Sequence, residues 1–246
     1  MVQGKEEMMS EMDNGVALRL FCLPYAGGTA RFCQPLRAVL PPAVELVPLE
    51  YPGHGQRSRE ACCTEFGALI DDCCAAILPR ARGGRCLLFG HSMGGQLAYH
   101  CAHRLEEAGI FPAGVLLSSP PFMLGENLRS RLDSKNFMNN IAALGGLPPS
   151  AITFPELRDY METLLRADFT AMATWDNAPL SAVQAPLTVT AGQDGDIPLP
   201  QLLRWAARTR GVFHAQQFAG GHFYLEQHWP VLGALLCRMA GIPPVG

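Results

Sequence analysis

The chain has 246 residues, 48% of them hydrophobic and 17% charged, enough to build one large core-rich α/β domain or two small ones. A formal charge of −3 gives neither the basic footprint of a nucleic-acid binder nor a polybasic membrane patch. Residues 1–15 are polar and acidic, without the apolar stretch of a signal peptide, and no apolar run approaches the ~20 residues that cross a bilayer. These features predict a cytoplasmic protein with a flexible lead-in over 1–15.

The first strand is expected over 17–23, with Pro24-Tyr25-Ala26-Gly27-Gly28 as its exit loop. Small residues there let backbone N–H groups approach a ligand closely. A helix over 32–40 is stopped by Pro41-Pro42, and a second strand at 44–49 runs into Tyr51-Pro52-Gly53-His54-Gly55-Gln56-Arg57. His54 reads as structural or rim-lining. Apolar residues at helical spacing predict a helix over 65–78.

Leu87-Leu88-Phe89 then leads into Gly90-His91-Ser92-Met93-Gly94-Gly95 and a helix-like segment. This is Gly-x-Ser-x-Gly in the strand–turn–helix context of a nucleophile elbow. The turn must be sharp for the Ser92 hydroxyl to stand clear, and glycines flank it where a Cβ would clash. The Met93 N–H, at the helix start, points where negative charge develops on an attacked carbonyl. Ala26 N–H is the candidate second donor of that oxyanion hole.

A buried strand follows at 114–119. From about 121 to 180, Pro- and Gly-rich punctuation separates short amphipathic segments and a longer one over 155–175. A helical insertion of this kind between two strands reads as a lid over an active site. Strands at 187–192 and 210–218 and a C-terminal helix to Met239 complete the alternation. The pattern predicts a mostly parallel sheet with helices on both faces, one domain over 16–246 carrying the lid.

Ser92 needs a base, and His222, in a Gly-Gly-His loop after the last strand, is the candidate. The acid belongs in the loop after the strand at 187–192, at Asp194 or Asp196; spacing alone leaves both open. The order Ser, acid, His is that of the α/β-hydrolase fold. The nine cysteines, at 22, 33, 62, 63, 73, 74, 86, 101 and 237, show no Cys-x-x-Cys spacing and are expected to be small buried hydrophobes. No metal and no cofactor is expected.

The segments Pro24-Tyr25-Ala26-Gly27-Gly28, Tyr51-Pro52-Gly53-His54-Gly55-Gln56-Arg57, Gly90-His91-Ser92-Met93-Gly94-Gly95, Leu165-Arg166-Ala167-Asp168-Phe169 and Gly220-Gly221-His222-Phe223-Tyr224 together resemble the type II thioesterases of polyketide and nonribosomal peptide synthesis, over about residues 17–235. The resemblance implies hydrolysis of acyl or peptidyl thioesters from the phosphopantetheine arm of carrier proteins, removing misprimed or stalled chains. It favours Asp194 as the acid, with Ile197 three and Trp205 eleven positions on; the proline that follows the family's acid is absent. Carrier protein domains are the implied partners of a monomeric enzyme that needs neither nucleic acid nor membrane. The competing readings are a carboxylesterase or lipase on the same fold, and a non-catalytic carrier-binding module.

Overall fold

The computed structural model describes residues 17–122, 133–147, 150–151, 154–175 and 181–244. The expected lead-in and parts of the expected insertion lie outside them. Six strands, β1 (Leu18–Leu23), β2 (Val44–Pro48), β3 (Cys86–His91), β4 (Gly114–Ser118), β5 (Leu187–Gly192) and β6 (Phe213–Phe218), form one sheet in the order β2-β1-β3-β4-β5-β6. Every neighbouring pair is parallel. Parallel pairing demands crossovers, and helices α1 (Phe66–Ala81), α2 (Met93–Glu107), α3 (Ser134–Ala143), α4 (Pro155–Ala173) and α5 (Leu199–Arg204) lie in them, while α6 (Trp229–Ala240) follows the last strand.

Both sheet faces are covered, which is why the strands read as continuous apolar runs. Phe21, Leu23, Leu88, Val115 and Val189 pack with Ile70 of α1 and Leu97 of α2. Their strand neighbours Leu20, Cys22, Leu87, Phe89 and Leu116 pack on the other face with Leu232 and Leu236 of α6. The chain steps from β1 outward to β2 and returns to β3 on the far side of β1. The crevice at that switch point, outside the carboxyl ends of the strands, is where a sheet of this kind places its site.

Two local expectations change. Residues Ala30–Ala38 form a 3-10 helix, because Pro35 lies inside the segment and removes a donor. The reading of the nine cysteines as small buried hydrophobes also needs correction, since Cys22 of β1 and Cys33 are joined in a disulfide. The 3-10 helix folds back across β1 and brings their Cα atoms to 6.4 Å, within disulfide reach. Of the other seven, Cys62 and Cys63 are half-buried and five are buried.

Candidate active site

At the end of β3 the chain turns through Ser92 with φ 55° and ψ −118° and enters α2 directly. That backbone conformation costs roughly 1–3 kcal/mol for a residue with a side chain. The Ser92 N–H, donating to the Ser118 carbonyl at 2.7 Å, and the Gly95 N–H, donating to the Ser92 carbonyl at 2.9 Å, hold it there. A Cβ on Gly90 would stand 2.0 Å from the Gly94 carbonyl oxygen, and one on Gly94 would stand 2.2 Å from those of Leu23 and Pro24. Three stretches of backbone therefore meet at the elbow with no room for a side chain.

Ser92 shares a cavity of about 30 Å³ with Tyr25, Ala26, Leu165, His222 and Phe223. In the loop after β1, the Gly28 N–H donates to the Tyr25 carbonyl at 2.8 Å and the Gly27 N–H to Asp168 Oδ2 at 2.7 Å. Among the described residues, neither Ala26 N–H nor Met93 N–H meets a protein acceptor. Both lie where β1 and β3 end side by side.

His222 follows β6, and its Nδ1 lies 2.6 Å from Asp196 Oδ1. The structure thus pairs the ring with Asp196, whereas the sequence reading favoured Asp194. The cause is the turn after β5. Gly192 packs so tightly on the 220–221 backbone that a Cβ would stand 2.0 Å from the Gly221 carbonyl oxygen, and the Gly195 N–H bonds back to the Gly192 carbonyl at 3.3 Å. Asp194 is left exposed, bonded through its own N–H to the Gly220 carbonyl at 2.9 Å, and the chain returns to the ring two residues later. The glycines at 192 and 195, both before Asp196, were the available signal. Ser119, itself at φ 44°, donates through Oγ to the His222 carbonyl at 3.1 Å and ties the loop after β4 to the histidine.

Behind His222 lies a directional chain of hydrogen bonds. His91 Nδ1 donates to Ser118 Oγ at 2.9 Å, Ser118 to Tyr224 at 2.8 Å, Tyr224 to Thr190 Oγ1 at 2.5 Å, and Thr190 to the Leu117 carbonyl at 3.3 Å. The tautomer of His91 is inferred from this network. Its ring centroid is 5.0 Å from that of His222. Burial, reinforced by the nearby His222, holds the His91 pKa well below the ordinary value, so the ring beside His222 stays neutral. Burial also pushes the Tyr224 phenol up to about 12, against its bonds to Ser118 and Thr190.

A second histidine–aspartate pair was missed by sequence reasoning. Asp168 of α4 and His54, both buried, meet through Oδ2 and Nε2 at 3.0 Å, and His54 Nδ1 lies 3.0 Å from the Pro52 carbonyl. Asp168 sits at helical spacing among apolar residues, where a buried carboxylate is a signal in itself. No group of three or more His, Cys, Asp or Glu able to hold a metal occurs among the described residues.

Residues 18–236 match the family model described as a thioesterase domain. The chain belongs to the thioesterase family. It is 33% identical over 217 residues to Thioesterase PikA5 of Streptomyces venezuelae, covering 87% of this chain and 77% of that protein. Among solved structures, RedJ, the thioesterase of the prodiginine pathway in Streptomyces coelicolor, superposes with a TM-score of 0.83 at 28% identity over 90% of this chain and 91% of that one. BorB, a type II thioesterase from the borrelidin biosynthetic cluster, superposes with 0.81 at 26% identity over 93% of each chain. The fold is that of the α/β-hydrolases. The thioesterase is an enzyme, a thioester hydrolase of a fold that works through a serine nucleophile, and its relatives favour the type II reading over a general esterase or a binding module. Among the described residues no helix is long and apolar enough to cross a membrane.

Proposed function

We propose that this type II thioesterase hydrolyses acyl and peptidyl thioesters on the phosphopantetheine arm of carrier proteins, with Ser92 as nucleophile, His222 as base and Asp196 as the acid that orients it. The observation carrying this reading is one ring with two assignments. His222 gives Nδ1 to Asp196 at 2.6 Å and lines the same cavity as Ser92, which leaves Nε2 for the serine hydroxyl. Asp196 holds that tautomer and stabilises the imidazolium once the proton has moved.

In the acylation step, Ser92 Oγ adds to the thioester carbonyl as its proton passes to His222 Nε2. Charge on the carbonyl oxygen is met by the N–H groups of Met93 and Ala26. The C–S bond then breaks, the pantetheine sulfur takes the proton from His222 as it leaves as the free thiol, and an acyl-serine remains beside a neutral ring. Water, deprotonated by the same ring, attacks the acyl-serine and frees the acid. Thiolates leave readily, so His222 matters more as base than as acid.

The 30 Å³ beside Ser92 holds about one water. An acyl chain therefore enters only when its walls move, and the helices of the 121–180 insertion, with Ile141, Leu144 and Leu165 over the cavity, act as the lid. We place this single-domain, monomeric enzyme, with its 1–15 lead-in, in the cytoplasm beside a synthase whose stalled chains it clears. The test is release of free acid from carrier protein loaded with acetyl, propionyl and longer acyl groups, with Ser92→Ala in parallel. Hydrolysis by the wild type and its loss in Ser92→Ala is the expected result. Turnover of simple esters with none of any loaded carrier overturns the carrier assignment.

A further inference from the structure

The loop that carries Ala26 is pinned from outside the sheet. The Pro24 carbonyl accepts from the Tyr51 hydroxyl at 2.8 Å, and the Gly27 N–H donates to Asp168 Oδ2 at 2.7 Å. Gly27 adopts φ +75°, and a Cβ there would stand 2.7 Å from Leu165 Cδ2, so α4 lies directly on this loop. The oxygen that holds Gly27 also takes a hydrogen from His54 Nε2 at 3.0 Å. His54 comes from the segment after β2, so one carboxylate oxygen ties α4, the loop after β1 and the loop after β2 together.

The chemistry of that junction is specific. Both ring nitrogens of His54 face acceptors, Asp168 Oδ2 and the Pro52 carbonyl. Only the doubly protonated ring can donate to both. A carboxylate that accepts from a backbone amide and an imidazolium holds that amide far more firmly than a neutral group does. The Gly27 N–H belongs to the peptide plane after the Ala26 Cα, and the Tyr25 carbonyl, in the plane that carries the Ala26 N–H, accepts from Gly28 at 2.8 Å; with Asp168 on Gly27, both planes that flank Ala26 are held.

We propose that Asp168, charged and oriented by His54, is a positioning residue that sets the Ala26 N–H of the oxyanion hole. This rests on the thioesterase reading and on Ala26 as an oxyanion donor. Asp168 touches no reacting atom; it acts through Gly27. Where a merely structural pair would contribute to the melting temperature alone, this one contributes to the transition state and therefore to kcat.

It also carries a pH dependence. Burial opposes the charge on His54, but the hydrogen bond and charge of Asp168, with the Pro52 carbonyl and Glu50, hold its pKa above the ordinary histidine value. The other groups facing the pair titrate later. Burial and neighbouring charges push the Tyr51 phenol well above its usual range, and burial with the Asp168 charge raises the Cys62 thiol. A raised histidine pKa means that the doubly bonded state is complete at low pH and is lost as pH rises through the raised value. One of the two His54 bonds then goes, and kcat falls on the alkaline side.

The experiment compares kcat, KM, pH profile and thermal melting of the wild type, Asp168→Ala, Asp168→Asn and His54→Gln on a single soluble acyl thioester. Asp168→Ala, which frees Gly27, lowers kcat about ten- to a hundredfold with KM within about twofold, because misaligning an oxyanion donor costs less than the roughly 10²- to 10³-fold of removing one. Asp168→Asn keeps a carbonyl for the Gly27 N–H and recovers kcat to within about threefold, and both it and His54→Gln lose the alkaline fall. If Asp168→Ala does not fold, the pH profiles of the other two decide. Wild-type kcat in a folded Asp168→Ala, or an alkaline fall that survives in both Asp168→Asn and His54→Gln, overturns the proposal. A wild type that turns over no thioester refutes the functional reading instead, and is recognised without any variant.

Discussion

Two histidine–aspartate pairs lie among the described residues, and they differ in which ring nitrogen is spent. His222 gives Nδ1 to Asp196 at 2.6 Å, with side-chain exposures of 8% and 36%. His54 gives Nε2 to Asp168 at 3.0 Å and Nδ1 to a backbone carbonyl, with both side chains at 1%. The first ring shares a cavity with Ser92 and spends only Nδ1 on its aspartate, and we propose that its Nε2 serves the serine. The second has both nitrogens turned to acceptors other than Ser92, so a proton it loses as pH rises does not pass to or from the substrate. What makes a histidine a base is an unspent nitrogen facing a nucleophile, and an aspartate partner alone does not confer it.

The sharpest way to break the comparison is to remove each ring. His222→Ala should lower kcat by about 10³-fold or more, while His54→Gln, which retains a donor to Asp168, should cost no more than about tenfold; steady-state hydrolysis of one acyl thioester measures both. Comparable losses would mean that both pairs take part in proton transfer. The next contrast lies within the loop after β5. Asp196→Asn should lower kcat by about 10²- to 10⁴-fold through the wrong tautomer of His222. Asp194→Asn, at an exposed side chain whose structural bond is made by its backbone, should stay within about threefold. The reverse ranking would restore Asp194 as the acid and make the His222–Asp196 bond incidental.

The same contrast explains what could be read from the chain beforehand. Ser92 was legible because an elbow this tight excludes side chains at 90 and 94, and that exclusion is written as glycine. The place of His222 beside Ser92 was legible from chain order and its Gly-Gly loop. All six strands were legible, since a sheet buried on both faces needs uninterrupted apolar runs. The choice between Asp194 and Asp196 was not, because two residues of spacing do not reveal how a turn packed on residues 220–221 will aim each side chain. His54 and Asp168 were 114 residues apart in sequence, and only the docking of α4 onto the loop after β1 brings them together. The Cys22–Cys33 disulfide likewise depends on the 3-10 helix folding back across β1. Local pattern reports what a residue's neighbours in sequence demand; these contacts are set by packing between elements.

That disulfide yields the smallest effect and the last test of the contrast. It closes an 11-residue separation around the loop that carries Ala26, so it constrains the unfolded chain and the same loop that Asp168 holds. A bridge of this span contributes about 2–3 kcal/mol of stability, so the double variant Cys22→Ala/Cys33→Ala should melt roughly 5–10 °C lower. Its kcat at 25 °C should stay within about twofold, because Tyr51 on Pro24, Asp168 on Gly27 and the backbone contact at Gly94 all remain to fix the loop. If kcat instead falls as far as in Asp168→Ala while the protein is still folded, the covalent bridge orients the oxyanion loop and the buried ion pair is only its companion. A lower melting temperature with preserved kcat separates the two devices: the disulfide holds the loop against unfolding, and the Asp168 carboxylate holds its amide against rotation.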